Sequence, residues 1–145
     1  MADDPQAKAV GDALRELVQN AAKGFVLETT ANLIEACPVD TGHARANFVP
    51  SVGGEFTGED ASTAAQDAGI AAVAAWKLGD GALSISNNVP YIDRLIAGSS
   101  SQAPAGWDLE AIDRAQQTVQ SQYDVDIDVT QGPGGLGVAI RPRQG

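Results

Sequence analysis

One long helical pattern governs what this chain can fold into. Between Ala7 and Ala36, the residues Val10, Leu14, Leu17, Val18, Ala21, Phe25 and Leu33 fall at spacings of three, four or their sums, and Cys37 extends the series. Glu16, Gln19, Asn20, Lys23, Glu28 and Glu35 occupy much of the remainder. That is an amphipathic helix whose apolar stripe other elements must cover. Gly11 and Gly24 weaken it by up to about 1 kcal/mol each. Pro38 ends it, because the residue before a proline avoids the helical region.

The rest of the chain supplies shorter elements. Residues 1–6 read as frayed. Asp40, Thr41 and Gly42 read as a structural turn, in which Asp and Thr bond nearby backbone and Gly takes a positive φ. Ala44 to Val52 reads as extended, with Phe48 and Val49 as packing residues. Asp60 to Leu78 is alanine-rich and reads as a second helix, capped by Asp60 or Ser62 and ended by Gly79. Ala82 to Ser86 alternates as a short strand, Asn87-Asn88 is a turn, and Pro90 to Ala97 is one or two helical turns. Gly98 to Gly106 is a polar loop. Trp107 to Tyr123 is a late helix carrying Leu109, Ile112, Ala115 and Val119 on one side. Val125, Ile127 and Val129 alternate with Asp124, Asp126 and Asp128, as in a strand with one wet face. Gly132 to Gly135 is a hairpin loop and Leu136 to Ile140 the returning strand.

These elements predict an α+β fold. A long N-terminal helix and a late helix pack on a small, mostly antiparallel sheet, with a C-terminal β-hairpin. At 145 residues one domain is expected. It divides into a core over 7–123 and the hairpin over 124–143. Alanine and glycine are abundant and aromatics few, which favours close helix packing.

Charge and composition exclude several functions. A net charge of −10 and a pI near 4.2 leave no basic stripe for neutralising phosphates. An acidic wall would instead repel DNA and let it slide past. The single Cys37 excludes an internal disulfide and a multi-cysteine zinc site. The first residues have no signal-like apolar run, and no stretch reaches the ~20 apolar residues of a membrane span. The expectation is a protein with no membrane association, made in a reducing cytoplasm.

Motifs that carry chemistry are incomplete. Gly132, Gly134 and Gly137 match G-x-G-x-x-G, but no helix follows to meet a pyrophosphate, so no nucleotide cofactor is expected. Asp124, Asp126 and Asp128 open like a calcium loop, yet Val129 and Gly135 stand where Gly and Glu are required, so no metal is expected. His43 is the only histidine, and Cys37 closes an apolar face where a small buried hydrophobe belongs. No catalytic residue is assigned.

Two segments carry the functional signal. The first is Cys37-Pro38-Val39-Asp40-Thr41-Gly42-His43-Ala44-Arg45-Ala46-Asn47. The second is Ser86-Asn87-Asn88-Val89-Pro90-Tyr91-Ile92-Asp93-Arg94-Leu95, running on through Gly98 and Ser99 to Gln102-Ala103-Pro104-Ala105-Gly106. They resemble the signature segments of the tail-completion (neck) proteins of long-tailed bacteriophages, in order across roughly residues 10 to 120. In that family P-V-D-T-G-x-x-R-x-N follows a long first helix, and I-S-N-N-x-P-Y-I-x-x-L-x-x-G-x-S-x-Q-A-P-x-G precedes a late helix. The chain departs from the pattern at Ser99-Ser100-Ser101, where the family often has a charge, and in a tail from Asp124 that is longer than the signature needs.

The resemblance implies a structural virion protein of the neck. Such proteins form rings, usually hexamers, between the head connector or stopper protein and the tail tube. Genomic DNA passes through without specific binding. Subunit-interface candidates are then Arg45, Arg94, Tyr91, Asp126 and Asp128. For Arg45 and Arg94 an internal salt bridge or carbonyl contact stands beside a cross-subunit contact. The hairpin is expected to contact a neighbour, for which adding to a sheet edge is one route. The competing readings are a small cytoplasmic hydrolase using Cys37 and His43, and a non-viral interaction module.

Overall fold

A computed structural model of the chain describes residues 4–39, 42–98, 105–132 and 135–144. Helix α1 spans Pro5–Ala36. It starts earlier than the sequence predicts, because Asp4 accepts a bond from Gln6 N at 2.9 Å and Pro5 fits the first turn. Residues 4–6 are therefore cap and first turn. Cys37, in the extended region with ψ 130, ends the helix ahead of Pro38.

The expected extended run from Ala44 does not form. His43–Ala46 is a short helical turn, α2, and only Val49–Val52 is strand, β1. The cause is polar bonding, both within the turn and from Arg45 and Asn47 to more distant backbone, which leaves no periodicity in four residues. Gly42 enters with φ 79, and Asn47 returns its side-chain amide to the His43 carbonyl at 2.8 Å.

Helix α3 is Ala64–Ala74, shorter at both ends than Asp60 to Leu78. Asp60 acts ahead of the helix, accepting bonds from Ser62 N and Ala65 N at 2.9 Å each. Beyond the helix, Asp80 captures Lys77 N at 2.9 Å and Trp76 donates its indole N–H to Gly81 O at 2.9 Å. Strand β2 is Leu83–Ser86, α4 is Ile92–Ile96 and α5 is Trp107–Gln122. The inner face of α5 is Trp107, Ala111, Ala115 and Val119, with Leu109 at 48 % exposure rather than facing in. Strands β3 (Val125–Gly132) and β4 (Gly135–Pro142) form the C-terminal hairpin.

There are two small antiparallel sheets among the described residues, β1–β2 and β3–β4. Helix α1 runs against both, and α5 packs along α1 and against β3. Ala21, Ala111 and Ala115 are fully buried, and Gly24 lies against Tyr123 and Val119. These small residues let the two helix backbones approach closely. Asn32 seals the contact by donating to Ala111 O at 3.1 Å.

One core cluster holds Leu33, Cys37, Ala44, Phe48, Trp107 and Ala111; Phe48 meets Trp107 edge to face, with ring centroids 6.0 Å apart. The second holds Ala21, Phe25, Ala115, Val119, Val125 and Ile127. Val125 and Ile127 belong to β3. The expectation of a core complete within 7–123 therefore gives way: the hairpin supplies its inner strand to the subunit's own interior. Gln120 reinforces this by accepting from Ile127 N at 2.8 Å, and Gln116 by donating to Ile127 O at 2.7 Å. These two side chains blunt the outer edge of β3.

Candidate functional site

The two signature segments fold onto each other. Asn87, in the second, donates to Ala44 O, in the first, at 2.9 Å, and its own carbonyl oxygen accepts from Val89 N at 3.1 Å. Asn47 is buried and bonds both backbone groups of Asp60, donating to Asp60 O and accepting from Asp60 N at 2.8 Å each. Gln66 of α3 donates to Arg45 O at 2.8 Å and to Phe48 O at 3.1 Å. Asn88 reaches Phe56 O at 2.7 Å. Tyr91, Ile92, Leu95 and Ile96 pack on the first core cluster, and Trp107 donates its indole N–H to Leu95 O at 2.9 Å. Nearly every amide here satisfies backbone that lies in no helix or sheet ladder. The signature residues thus build a rigid junction between α1, α2, α4 and α5.

Of the turn residues, Gly42 is in the left-handed region and nothing lies within 4 Å of where its Cβ would be, so its conformation alone selects glycine. Asp40 and Thr41 lie outside the described residues, as does Ser99 to Pro104 of the polar loop.

The interface candidates separate. Arg45 makes the carbonyl contact: Nε donates to Cys37 O and Nη2 to Glu35 O, at 3.2 Å each, capping the end of α1. Arg94 is exposed and has no ion-pair partner among the described residues. Tyr91 is half-buried against the core. Asp126 pairs with Arg143 at 3.5 Å, and Asp128 with Arg141, so both aspartates are engaged within the hairpin.

Arg143 is a residue the sequence reading passed over. It bonds Gln120 O at 3.1 Å and Val125 O at 2.8 Å and also meets Asp124 at 3.5 Å. A cation at the carbonyl end of α5 is favourably placed, and it ties the hairpin to that helix.

Cys37 does not have the character of an activated nucleophile. The thiol is 1 % exposed, and burial pushes it up to about 11, with Arg45 only partly opposing. An activated cysteine needs the reverse shift. His43 Nε2 sits 2.8 Å from Glu59 Oε2. Among the described residues no group of three His, Cys, Asp or Glu side chains is placed to hold a metal ion. The Gly132–Gly137 region is a hairpin with Gly132 opposite Gly135, so the strand that follows cannot offer a helix N-terminus to a phosphate.

A groove opens on the other side of α1, with a volume of approximately 540 Å³. Its floor is the α1 face from Ala22 to Leu33. Its walls are Gly81 to Ile85 on one side and Leu136 to Ile140 on the other. Glu55 is its one charged lining residue. No described helix is long and apolar enough to cross a membrane. Compared with protein-family models, curated proteins and solved structures, the chain matches none.

Proposed function

We propose that this protein is a structural component of a bacteriophage neck, forming a ring that joins the head connector to the tail tube. The observation that carries this reading is the pair of signature segments, Cys37–Asn47 and Ser86–Gly106, in the order of tail-completion proteins. The Asn87–Ala44 contact, which ties the two segments into one junction, is consistent with it. So is the direction of the Cys37 shift, which disfavours thiol chemistry.

In this reading the protein works by shape and charge. A ring of copies, each with net charge −10, presents an acidic surface that repels the phosphate backbone. DNA then passes without sticking. The partners are further copies of the chain, the stopper protein above and the tail tube below.

The test is genetic. Particles assembled without this protein are expected to separate into DNA-filled heads and free tails under the electron microscope. Joined, infectious particles at normal yield would reject the proposal.

A further inference from the structure

Each of the two small sheets keeps one strand edge free, and both free edges border the groove on α1. In an antiparallel pair, opposed residues alternate between bonding each other and turning their backbone groups away. Arg143 N donates to Asp124 O at 2.9 Å, which sets the phase of the hairpin: Asp126–Arg141, Asp128–Ala139 and Thr130–Gly137 are the bonded pairs. Leu136, Val138 and Ile140 therefore turn their N–H and C=O groups outward from β4. Gly53 N, donating to Ala82 O at 2.8 Å, sets the other sheet in the same way, so Leu83 and Ile85 turn theirs outward from β2. These outward groups have no hydrogen-bond partner among the described residues, and all five residues line the groove.

The opposite edge of the hairpin is closed. On β3 the outward C=O of Val125 accepts from Arg143, and the outward groups of Ile127 are taken by Gln116 and Gln120. An edge left without such cover is a template for another strand. Pro142 shares the outward phase and lacks an N–H, so it ends the template on β4. The groove floor adds a second observation. Thr29 is 3 % exposed, and its hydroxyl has no hydrogen-bond partner among the described residues. A polar atom of an occupant would complete it.

We infer that an extended segment of a different protein lies along this groove, hydrogen-bonded to the free edge of β4, with alternate side chains on the α1 floor. Backbone pairing supplies the affinity, and the floor selects the sequence. Side chains pointing in are apolar, to match Phe25, Val26 and Leu33. Glu55, the one charged lining residue, and the net charge of −10 favour a basic segment. A second copy does not supply it. The alternating runs Leu83–Ser86, Val125–Gly132 and Gly135–Pro142 are already strands of their own subunit. The edge of another folded sheet also arrives with its neighbouring strand attached, and the second wall of the groove stands where that strand would lie. The inference is independent of the neck reading.

The probe is a synthetic peptide of eight residues, the length of β4, alternating valine and lysine. Amide hydrogen exchange on the full chain, followed by NMR, reads its binding. In the free protein the amides of Leu136, Val138 and Ile140 are expected to exchange fast, while those of Gly137 and Ala139 are protected. Saturating peptide is expected to slow the three outward amides by about tenfold or more. The same peptide with its amides N-methylated keeps charge and side chains but cannot donate, and is expected not to protect them. Val138→Pro removes one outward N–H and leaves the pairing to β3 in place, since proline is tolerated where the N–H faces away from the ladder. It is expected to weaken peptide binding by about fivefold or more, and Val138→Thr to leave it unchanged. The exchange readout on wild type stands even if the proline variant misfolds. No protection at millimolar peptide overturns the inference, as does equal binding of the N-methylated peptide. Protection that appears with protein concentration alone also overturns it, because a second copy would then hold the edge.

Discussion

Asn87 donates its side-chain amide to the Ala44 carbonyl at 2.9 Å, across a separation of 43 residues. That bond is one tie between the two segments on which the functional reading depends; Tyr91, Ile92 and Leu95 also pack on the cluster that holds Ala44. Removing the Asn87 side chain leaves the Ala44 carbonyl with only the Asn47 N–H, at 3.2 Å, and takes the acceptor from the Val89 N–H. Asn87→Ala is expected to lower stability by about 1–3 kcal/mol. Asn87→Asp should cost a similar amount, because a carboxylate cannot donate to Ala44 O. Equilibrium denaturation checks this, and an unchanged midpoint in both variants would show that the junction does not depend on the bond.

Helix α3 meets β1 through Gly69. A Cβ added there would lie 2.0 Å from the Pro50 carbonyl oxygen, and that backbone cannot yield cheaply. Gly69→Ala should destabilise by at least about 1–3 kcal/mol through overpacking. Gly11 in α1 has only the flexible end of Arg15 nearby, at 3.5 Å. Gly11→Ala should therefore stabilise, by roughly 0.5–1 kcal/mol, as helix propensity dictates. Thermal melts of the two variants moving in the same direction would contradict this.

Burial of Cys37 sets a pH dependence. The thiol titrates at about 11 in the folded chain against 9.0 for an ordinary cysteine. A raised folded-state value means the stabilisation is complete below pH 9.0 and is lost as pH rises towards 11. Across that window wild type should lose about 2 kcal/mol more than Cys37→Ala, at about 1.4 kcal/mol per pKa unit. Denaturation at several alkaline pH values compares the two slopes. Parallel slopes would place the thiol in contact with water.

The hairpin should be indispensable to the isolated subunit. Ile127 is buried among Phe25, Ala115 and Val119, so Ile127→Ala is expected to cost about 2–5 kcal/mol. Thr130→Ala, at an exposed position of the same strand, should stay within about 0.5 kcal/mol. Deleting residues 124–145 should abolish cooperative folding. A soluble truncation with a sharp unfolding transition would restore the view of the hairpin as an appendage.

Much of the fold was legible where a pattern was long. The apolar period of α1 and the stop at Pro38 located that helix, and the alternation at Val125 and Ile127 located β3. The short turn α2 was not legible, because Arg45 and Asn47 hold it by bonds to backbone distant in sequence. Asn32, Gln66, Gln116 and Gln120 belong to no pattern that singles them out in the sequence. Only the folded chain shows that each satisfies backbone or closes a helix contact. Arg141 and Arg143 were likewise invisible as partners of the aspartates, since register across a hairpin is needed to pair them. The groove had no signature at all, as its walls come from strands far apart in the chain.

If copies of this chain close into a ring, the mass of the purified protein, with negative-stain imaging of the same sample, reads it directly. A single closed assembly, hexameric, with a central lumen is expected. A protein that stays monomeric at its highest soluble concentration, or that stops at a two-fold dimer without a lumen, would contradict it.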